Sequence, residues 1–217
     1  RLNLSIAEQA FQLIIERHRV LRTNFVKKNE GPVQLVNCNP EFELKVHDLG
    51  ELQGGEQQKA IDVLIAENTN YEFDLVLDLM IRASYIHTQD QCGILLVNLH
   101  HIASDGWSLS NLMNEFKEIY DALLIGREVN LPNLSVQYGD FAVWQKQKLQ
   151  DSQSQKDYWL KQLNGLPQVH NLPLDRARPQ KQTFAGSMHE LVLDKERVDA
   201  LQRLANSHDS TLFMVLH

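Results

Sequence analysis

Residues 95–108 read Leu-Leu-Val-Asn-Leu-His-His-Ile-Ala-Ser-Asp-Gly-Trp-Ser, and no other stretch narrows the possible folds as much. Its apolar half predicts a buried strand. Asp-Gly predicts a turn or a helix cap, because a short acidic side chain satisfies the free amides of a first helical turn. After Gly106, the residues Leu109, Leu112, Met113, Phe116, Ile119, Tyr120 and Leu123 recur at helical spacing, and Gly126 is a suitable stop. A strand that runs through a short polar loop into a helix is therefore expected. The loop holds His100, His101 and Asp105 at a strand end, where polar residues on a rigid scaffold tend to carry chemistry.

The chain has 217 residues, 43% of them apolar, enough for one sizeable core or two small ones. Its 21 basic and 28 acidic side chains give a net charge of −7, which disfavours a general nucleic-acid binder. Cys38 and Cys92 form no Cys-x-x-Cys motif, so a reducing compartment is the expected setting. No apolar run approaches the roughly 20 residues that span a bilayer, and no signal peptide is visible. The chain begins at Arg1 and stops in Leu-Phe-Met-Val-Leu-His, which reads as the opening of an apolar helix. A fragment of a longer protein is expected, since such a helix needs a partner.

Elsewhere, Ser5 and Glu8 fit a capping box, and Ala7, Phe11, Ile14, Ile15 and His18 follow at helical spacing. Residues 21–26, 33–36 and 43–46 read as extended and 56–68 as a helix. Residues 79–87 and 92–99 read as a hairpin joined by the polar turn 88–91. Helices are expected at 138–149, 155–163 and 195–206, with a strand at 188–193. Pro167, Pro173 and Pro179 mark a linker. The mixture predicts an α/β or α+β fold with a partly antiparallel sheet.

Each motif also has a plain structural explanation. Neighbouring strand residues point to opposite faces, so at most one of His100 and His101 addresses a given pocket. Both could be satisfied histidines at a strand end. A metal site needs three or more converging ligands, and no second His cluster stands nearby. Ser104 lacks the Gly-x-Ser-x-Gly turn of a hydrolase nucleophile. Asp105 alone reads as an N-cap, although an aspartate under a catalytic loop can also hold an arginine. Residues 17–25 read Arg-His-Arg-Val-Leu-Arg-Thr-Asn-Phe. Arg17 and Arg19 could be charges favoured by a helix C-terminus. Arg22 lies past the helix among apolar residues and needs a carboxylate partner if buried. Residues 138–144, Tyr-Gly-Asp-Phe-Ala-Val-Trp, taken alone are an apolar helix face.

Together these segments resemble condensation domains of nonribosomal peptide synthetases. The motifs of that family are Arg-His-Glu-x-Leu-Arg-Thr-x-Phe, His-His-x-x-x-Asp-Gly-Trp-Ser and Tyr-x-Asp-Phe-Ala-x-Trp, and all three stand here in that order. Phe73-Asp74-Leu75 followed by Arg82, and Leu-Pro-Leu-Asp-Arg at 172–176, are similar to the family as well. Two positions depart. Arg19 stands where the family usually has glutamate, and Asp78 where a glycine or proline often precedes the conserved leucine.

The resemblance implies a lobe of the chloramphenicol-acetyltransferase type, a mixed sheet covered by helices. Residues 1–165 would be the N-terminal lobe, 166–182 a linker, and 183–217 the start of a truncated C-terminal lobe. It implies a cytoplasmic acyltransferase of secondary-metabolite biosynthesis that forms an amide bond between two thioester-bound substrates. Phosphopantetheine arms of donor and acceptor carrier-protein domains would deliver them; no bound cofactor, metal, nucleic acid or membrane is implied. An adjacent adenylation domain and the missing C-terminal lobe would be further partners. His101 would orient the attacking amine or take its proton, and the residues leave open which. His100 and Gly106 would shape the loop, Asp105 would hold it through Arg22, and Trp107 would support it. Trp107 is also similar to the subtype that joins two L-residues. The isolated fragment would be inactive. Two other readings stay open: a superfamily acyltransferase acting on coenzyme A thioesters, and a non-catalytic relative that recruits partners.

Overall fold

Apolar stripes on two helices decide where the core lies. In the computed structural model of the chain, which describes residues 2–29, 31–88, 92–169, 171–183 and 186–217, the first of them is α1 (Leu4–Arg17). Its Ala7, Ala10, Phe11, Ile14 and Ile15 share one face and are all buried. Asn3 caps α1 by accepting from Ile6 N at 3.2 Å. The expected cap at Ser5 is therefore displaced by two residues, and Glu8, now inside the helix, accepts from Leu44 N at 2.8 Å instead.

A 3-10 turn, Arg19–Arg22, leads into a hairpin of β1 (Thr23–Lys28) and β2 (Gly31–Val36). Then β3 (Lys45–Asp48) passes through α2 (Gly54–Thr69) to β4 (Ile81–His87), and β5 (Gly93–Leu99) follows. The second sheet has the order β3-β4-β5. β3 and β4 run parallel, which requires a crossover such as α2, whereas β4 and β5 are antiparallel. The turn expected at 88–91 falls on 89–91, outside the described residues.

Strand alternation gives the sheet two different faces. Ile81 and Ala83 of β4, with Leu95, Val97 and Leu99 of β5, join α1 and α3 (Gly106–Ile125) in one core. Phe11 sits at its centre, 4.6 Å from Phe116 and 5.3 Å from Phe42 between ring centroids. Burying each large side chain of this kind contributes about 1.5–3 kcal/mol. On the other face, Asn68 of α2 donates to Ser84 Oγ at 3.3 Å and its carbonyl accepts from Asn98 Nδ2 at 2.5 Å.

α3 ends at Gly126, whose φ of +70° is the left-handed conformation that glycine adopts without cost. Arg127 then turns back with two bonds to Glu118, at 2.6 and 2.7 Å, and Asn130 N donates to the same carboxylate at 2.8 Å. The chain continues through α4 (Tyr138–Gln150) and α5 (Gln153–Gln162). Residues Leu163–His217 form a second unit with α6 (Lys195–Ser207) and α7 (Leu212–Leu216). The strand expected at 188–193 does not form: among the described residues it has no ladder partner, and Met188, Leu191 and Val192 are 92%, 77% and 83% exposed. A short apolar run makes a strand only where a neighbour takes up the backbone bonds. No helix among the described residues is long and apolar enough to cross a membrane.

Two stability measurements follow from this packing. A Cβ on Gly93 would collide with the Tyr85 hydroxyl and ring, and the Tyr85 ring is buried. Gly93→Ala is expected to destabilise the chain by about 1–3 kcal/mol in chemical denaturation, as overpacking does, and an unchanged midpoint would contradict the packing. The second concerns acid. Arg127 first, then the Asn130 amide, lowers the Glu118 carboxyl from 4.5 to about 2. A depressed carboxyl stabilises the fold fully above its unfolded value and loses that contribution as pH falls through its folded value. The melting-temperature gap between the parent and Glu118→Gln should therefore close between about pH 4.5 and about pH 2. A gap that stays constant across that window would contradict the assignment.

Candidate active site

Between Leu99 and Gly106 the chain must leave a ladder and start a helix, and the polar groups of the turn are engaged in doing so. His100 N donates to Met80 O at 3.0 Å, carrying the strand pairing one residue past β5. The His100 carbonyl accepts from Ala103 N at 3.0 Å and from Ser104 Oγ at 3.3 Å. The ring joins in, because Nδ1 accepts from Ile102 N at 3.0 Å. A neutral imidazole that accepts at Nδ1 carries its proton on Nε2. Phe73 meets the same ring edge to face, 5.5 Å between centroids at 77°.

Asp105 finishes the turn as the N-cap of α3. Its Oδ1 accepts from Ser108 N at 2.8 Å and from Ser108 Oγ at 2.6 Å, while Asp105 N donates to Ser108 Oγ at 3.2 Å. The Ser108 hydroxyl, then its amide, hold the Asp105 carboxyl below the usual carboxylate range, with a smaller pull from nearby His101. Gly106 opens the helix. A Cβ there would meet nothing within 4 Å, so the backbone does not demand glycine, and its bareness leaves the space before the helix end open.

His101 differs from every neighbour. It is exposed, and among the described residues it has no hydrogen-bond partner. Half-buried His100 braces the turn while His101 faces outward with both ring nitrogens available. No group of three or more His, Cys, Asp or Glu among the described residues is placed to hold a metal ion.

Two expected supports are corrected. Arg22 does not pair with Asp105. Its guanidinium donates to Ile15 O at 3.2 Å, Asn37 O at 2.6 Å and Glu16 O at 3.2 Å. The last carbonyls of α1 lack intrahelical partners, and Arg22, one turn beyond, folds back onto them. A half-buried arginine thus found carbonyls rather than a carboxylate, and Asp105 found Ser108. Trp107 does not brace the loop either, because its side chain is 86% exposed.

Other residues do the bracing. Glu115 of α3 lies 2.5 Å from His18 Nε2 and 3.3 Å from Arg17 Nε, with its side chain only 15% exposed. It fixes the C-terminus of α1 to the helix that the loop leads into. Its position was legible as a charge three residues after Leu112 and four before Ile119, inside the apolar stripe. Arg17 Nη2 also donates to Pro132 O at 2.6 Å, and Gln137 bonds Arg17 O and Arg19 N, each at 3.0 Å. Asp78, one of the two departures, accepts from Tyr71 Oη at 2.8 Å and Asp74 N at 2.9 Å.

This geometry can be set beside known proteins. A sequence profile of the Condensation domain matches residues 1–217. The chain is 37% identical to one of the linear gramicidin synthase subunits of Brevibacillus parabrevis over 217 residues, 99% of this chain and 3% of that protein. It is 40% identical to one of the plipastatin synthase subunits of Bacillus subtilis (strain 168) over 219 residues, 100% of this chain and 8% of that protein. Among solved structures it is similar to the X-domain from teicoplanin biosynthesis, with a TM-score of 0.82 and 26% identity over 97% of this chain and 47% of that one. The same domain in complex with OxyB gives a TM-score of 0.80. The chain thus spans a small part of the curated relatives and about half of these structures. The fold is of the chloramphenicol-acetyltransferase type. With the profile matched from end to end, and the His-His-x-x-x-Asp-Gly segment forming the turn between β5 and α3, the chain belongs to the condensation-domain family.

Proposed function

We propose that this chain supplies the catalytic loop of an amide-bond-forming acyltransferase in nonribosomal peptide synthesis. The observation that carries the reading is the asymmetry of the histidine pair: His100 is engaged in the turn, and His101 is exposed and has no hydrogen-bond partner among the described residues. The substrates are a donor and an acceptor aminoacyl or peptidyl thioester, each on the phosphopantetheine arm of a carrier protein. The acceptor amine attacks the donor carbonyl, the C–N bond forms and the C–S bond breaks, and the proton that the amine releases passes to His101 and from it to the departing thiolate. A thiol near pKa 8.5 leaves without much help, and an α-amine near pKa 8 is partly neutral at cytoplasmic pH. Bringing the two groups together contributes up to roughly 7–11 kcal/mol, and His101 adds the orientation of the amine and the acceptance of its proton. Gly106 leaves room for the approach. The partners in this reading are the two carrier domains, an adenylation domain and a second lobe that closes the site, in the cytoplasm.

A second reading has one observation in its favour. The X-domain, which this chain resembles in fold, is found in complex with OxyB. A recruitment role would follow if the fold were used for docking alone, but the intact His101 loop favours catalysis.

The deciding assay is product formation from preloaded donor and acceptor carriers, using the whole open reading frame around this segment. His101→Ala is expected to lower turnover by about 10²–10⁴-fold, the usual worth of a positioned proton acceptor. His100→Ala is expected to be milder and to act through the loop. The 217-residue chain alone is expected to give no product, because His101 faces open solvent and nothing orients the two arms. Undiminished turnover by His101→Ala would overturn the reading.

A further inference from the structure

The segment Phe73-Asp74-Leu75, followed by Arg82, takes no direct part in the chemistry of the histidine loop. Its surroundings give it an indirect one. The Phe73 ring stands between two others: the His100 ring at 5.5 Å and 77°, and the Tyr71 ring at 5.2 Å and 84°. Tyr71 is itself held on two sides. Arg82 lies over its face, 3.4 Å from the centroid, and Asp78 takes its hydroxyl at 2.8 Å. Leu75 O accepts from Phe25 N at 2.8 Å, which ties the segment to β1. Phe73 is therefore a fixed wall, and the His100 ring rests on it.

We propose that Phe73 is a positioning residue, which acts through His100 to hold the loop that presents His101. The contact matters because of what His100 does with its ring. Nδ1 reaches Ile102 N only while the imidazole keeps one orientation, and that bond closes the turn carrying His101 between its ends. An edge-to-face contact with an aromatic neighbour selects that orientation, since aromatic pairs favour offset or perpendicular geometry. Remove the wall and the ring is free to rotate, the Ile102 amide loses its acceptor, and His101 moves. Displacements of about 1 Å remote from the reacting atoms can cost up to roughly a hundredfold in rate. Asp78 extends the same line of support: by binding the Tyr71 hydroxyl it fixes the ring behind Phe73.

The inference rests on the role proposed for His101, and its test separates the two. Phe73→Leu, Phe73→Tyr, His100→Ala and the double variant Phe73→Leu/His100→Ala are compared in the full open reading frame, with carrier-loaded substrates. Phe73→Leu is expected to lower kcat about tenfold with KM for both carriers within about twofold, and Phe73→Tyr, which keeps the ring, to stay within about twofold of the parent. In the His100→Ala background, Phe73→Leu should cost less than about twofold more, because residues that act through one another are not additive. Amide exchange followed by mass spectrometry supplies a readout independent of catalysis: exchange at Ile102 and Ala103 should accelerate in Phe73→Leu while β4 exchanges as before. Phe73→Met, which keeps much of the volume, is read in the same way if the leucine variant does not fold. An undiminished effect in the His100→Ala background, parental kcat in Phe73→Leu, or unchanged exchange at Ile102 would each overturn the inference. Parental turnover in His101→Ala would instead overturn the proposed function, and the exchange measurement would still decide the Phe73 contact.

Discussion

A strand that becomes a helix within a short loop strands several polar groups at once, and the layout around α3 follows from how residues 100–108 satisfy them. His100 contributes its amide, its carbonyl and its ring; Asp105 and Ser108 bond each other reciprocally across the first turn of α3. With those groups engaged, His101 is left exposed and without a hydrogen-bond partner among the described residues. That division of labour within a histidine pair is a consequence of geometry: adjacent residues at a strand end aim apart, so one can serve the fold while the other serves the surface.

The loop is only as steady as the two elements it joins. β5 is set by its pairing with β4, where Tyr85 covers Gly93. α3 is set by the core it shares with α1, centred on Phe11 and Phe116, and by Glu115 between Arg17 and His18. A largely buried carboxylate shared by two basic groups costs several kcal/mol to leave unpaired, so α1 and α3 resist sliding past one another. Arg22 adds to this by closing the end of α1, not by reaching the loop. The segment from Arg127 to Gln137 then returns over the end of α1, anchored at Glu118 and at Arg17.

What could be read from the residues was what depends on local periodicity. The apolar stripe of α3, its glycine stop, α1 and the β4–β5 pair all follow from spacing, and all stand close to where spacing puts them. What could not be read depends on choice among neighbours. Asn3 and Ser5 are both good caps, and only the packing of α1 selects Asn3. Arg22 could bond carbonyls or a carboxylate, and it bonds the unpartnered end of α1. Residues 188–193, with three apolar residues in a row, were short enough to read as a strand but have no ladder among the described residues. The pairing of Phe73 with His100 joins parts of the chain far apart in sequence, and no spacing rule reaches that far. The resemblance that implies a role for His101 rests on the order of three motifs, and the geometry adds that His100 is engaged in the turn.

His100 is locked into the turn and His101 is not. Long-range nitrogen–proton NMR of the histidine rings tests it most directly, since it reports which ring nitrogen carries the proton. His100 is expected to hold a single tautomer, with the proton on Nε2 and Nδ1 bonded to the Ile102 amide, and His101 to exchange between both tautomers. Two rings that exchange alike, or a His100 protonated at Nδ1, would contradict it.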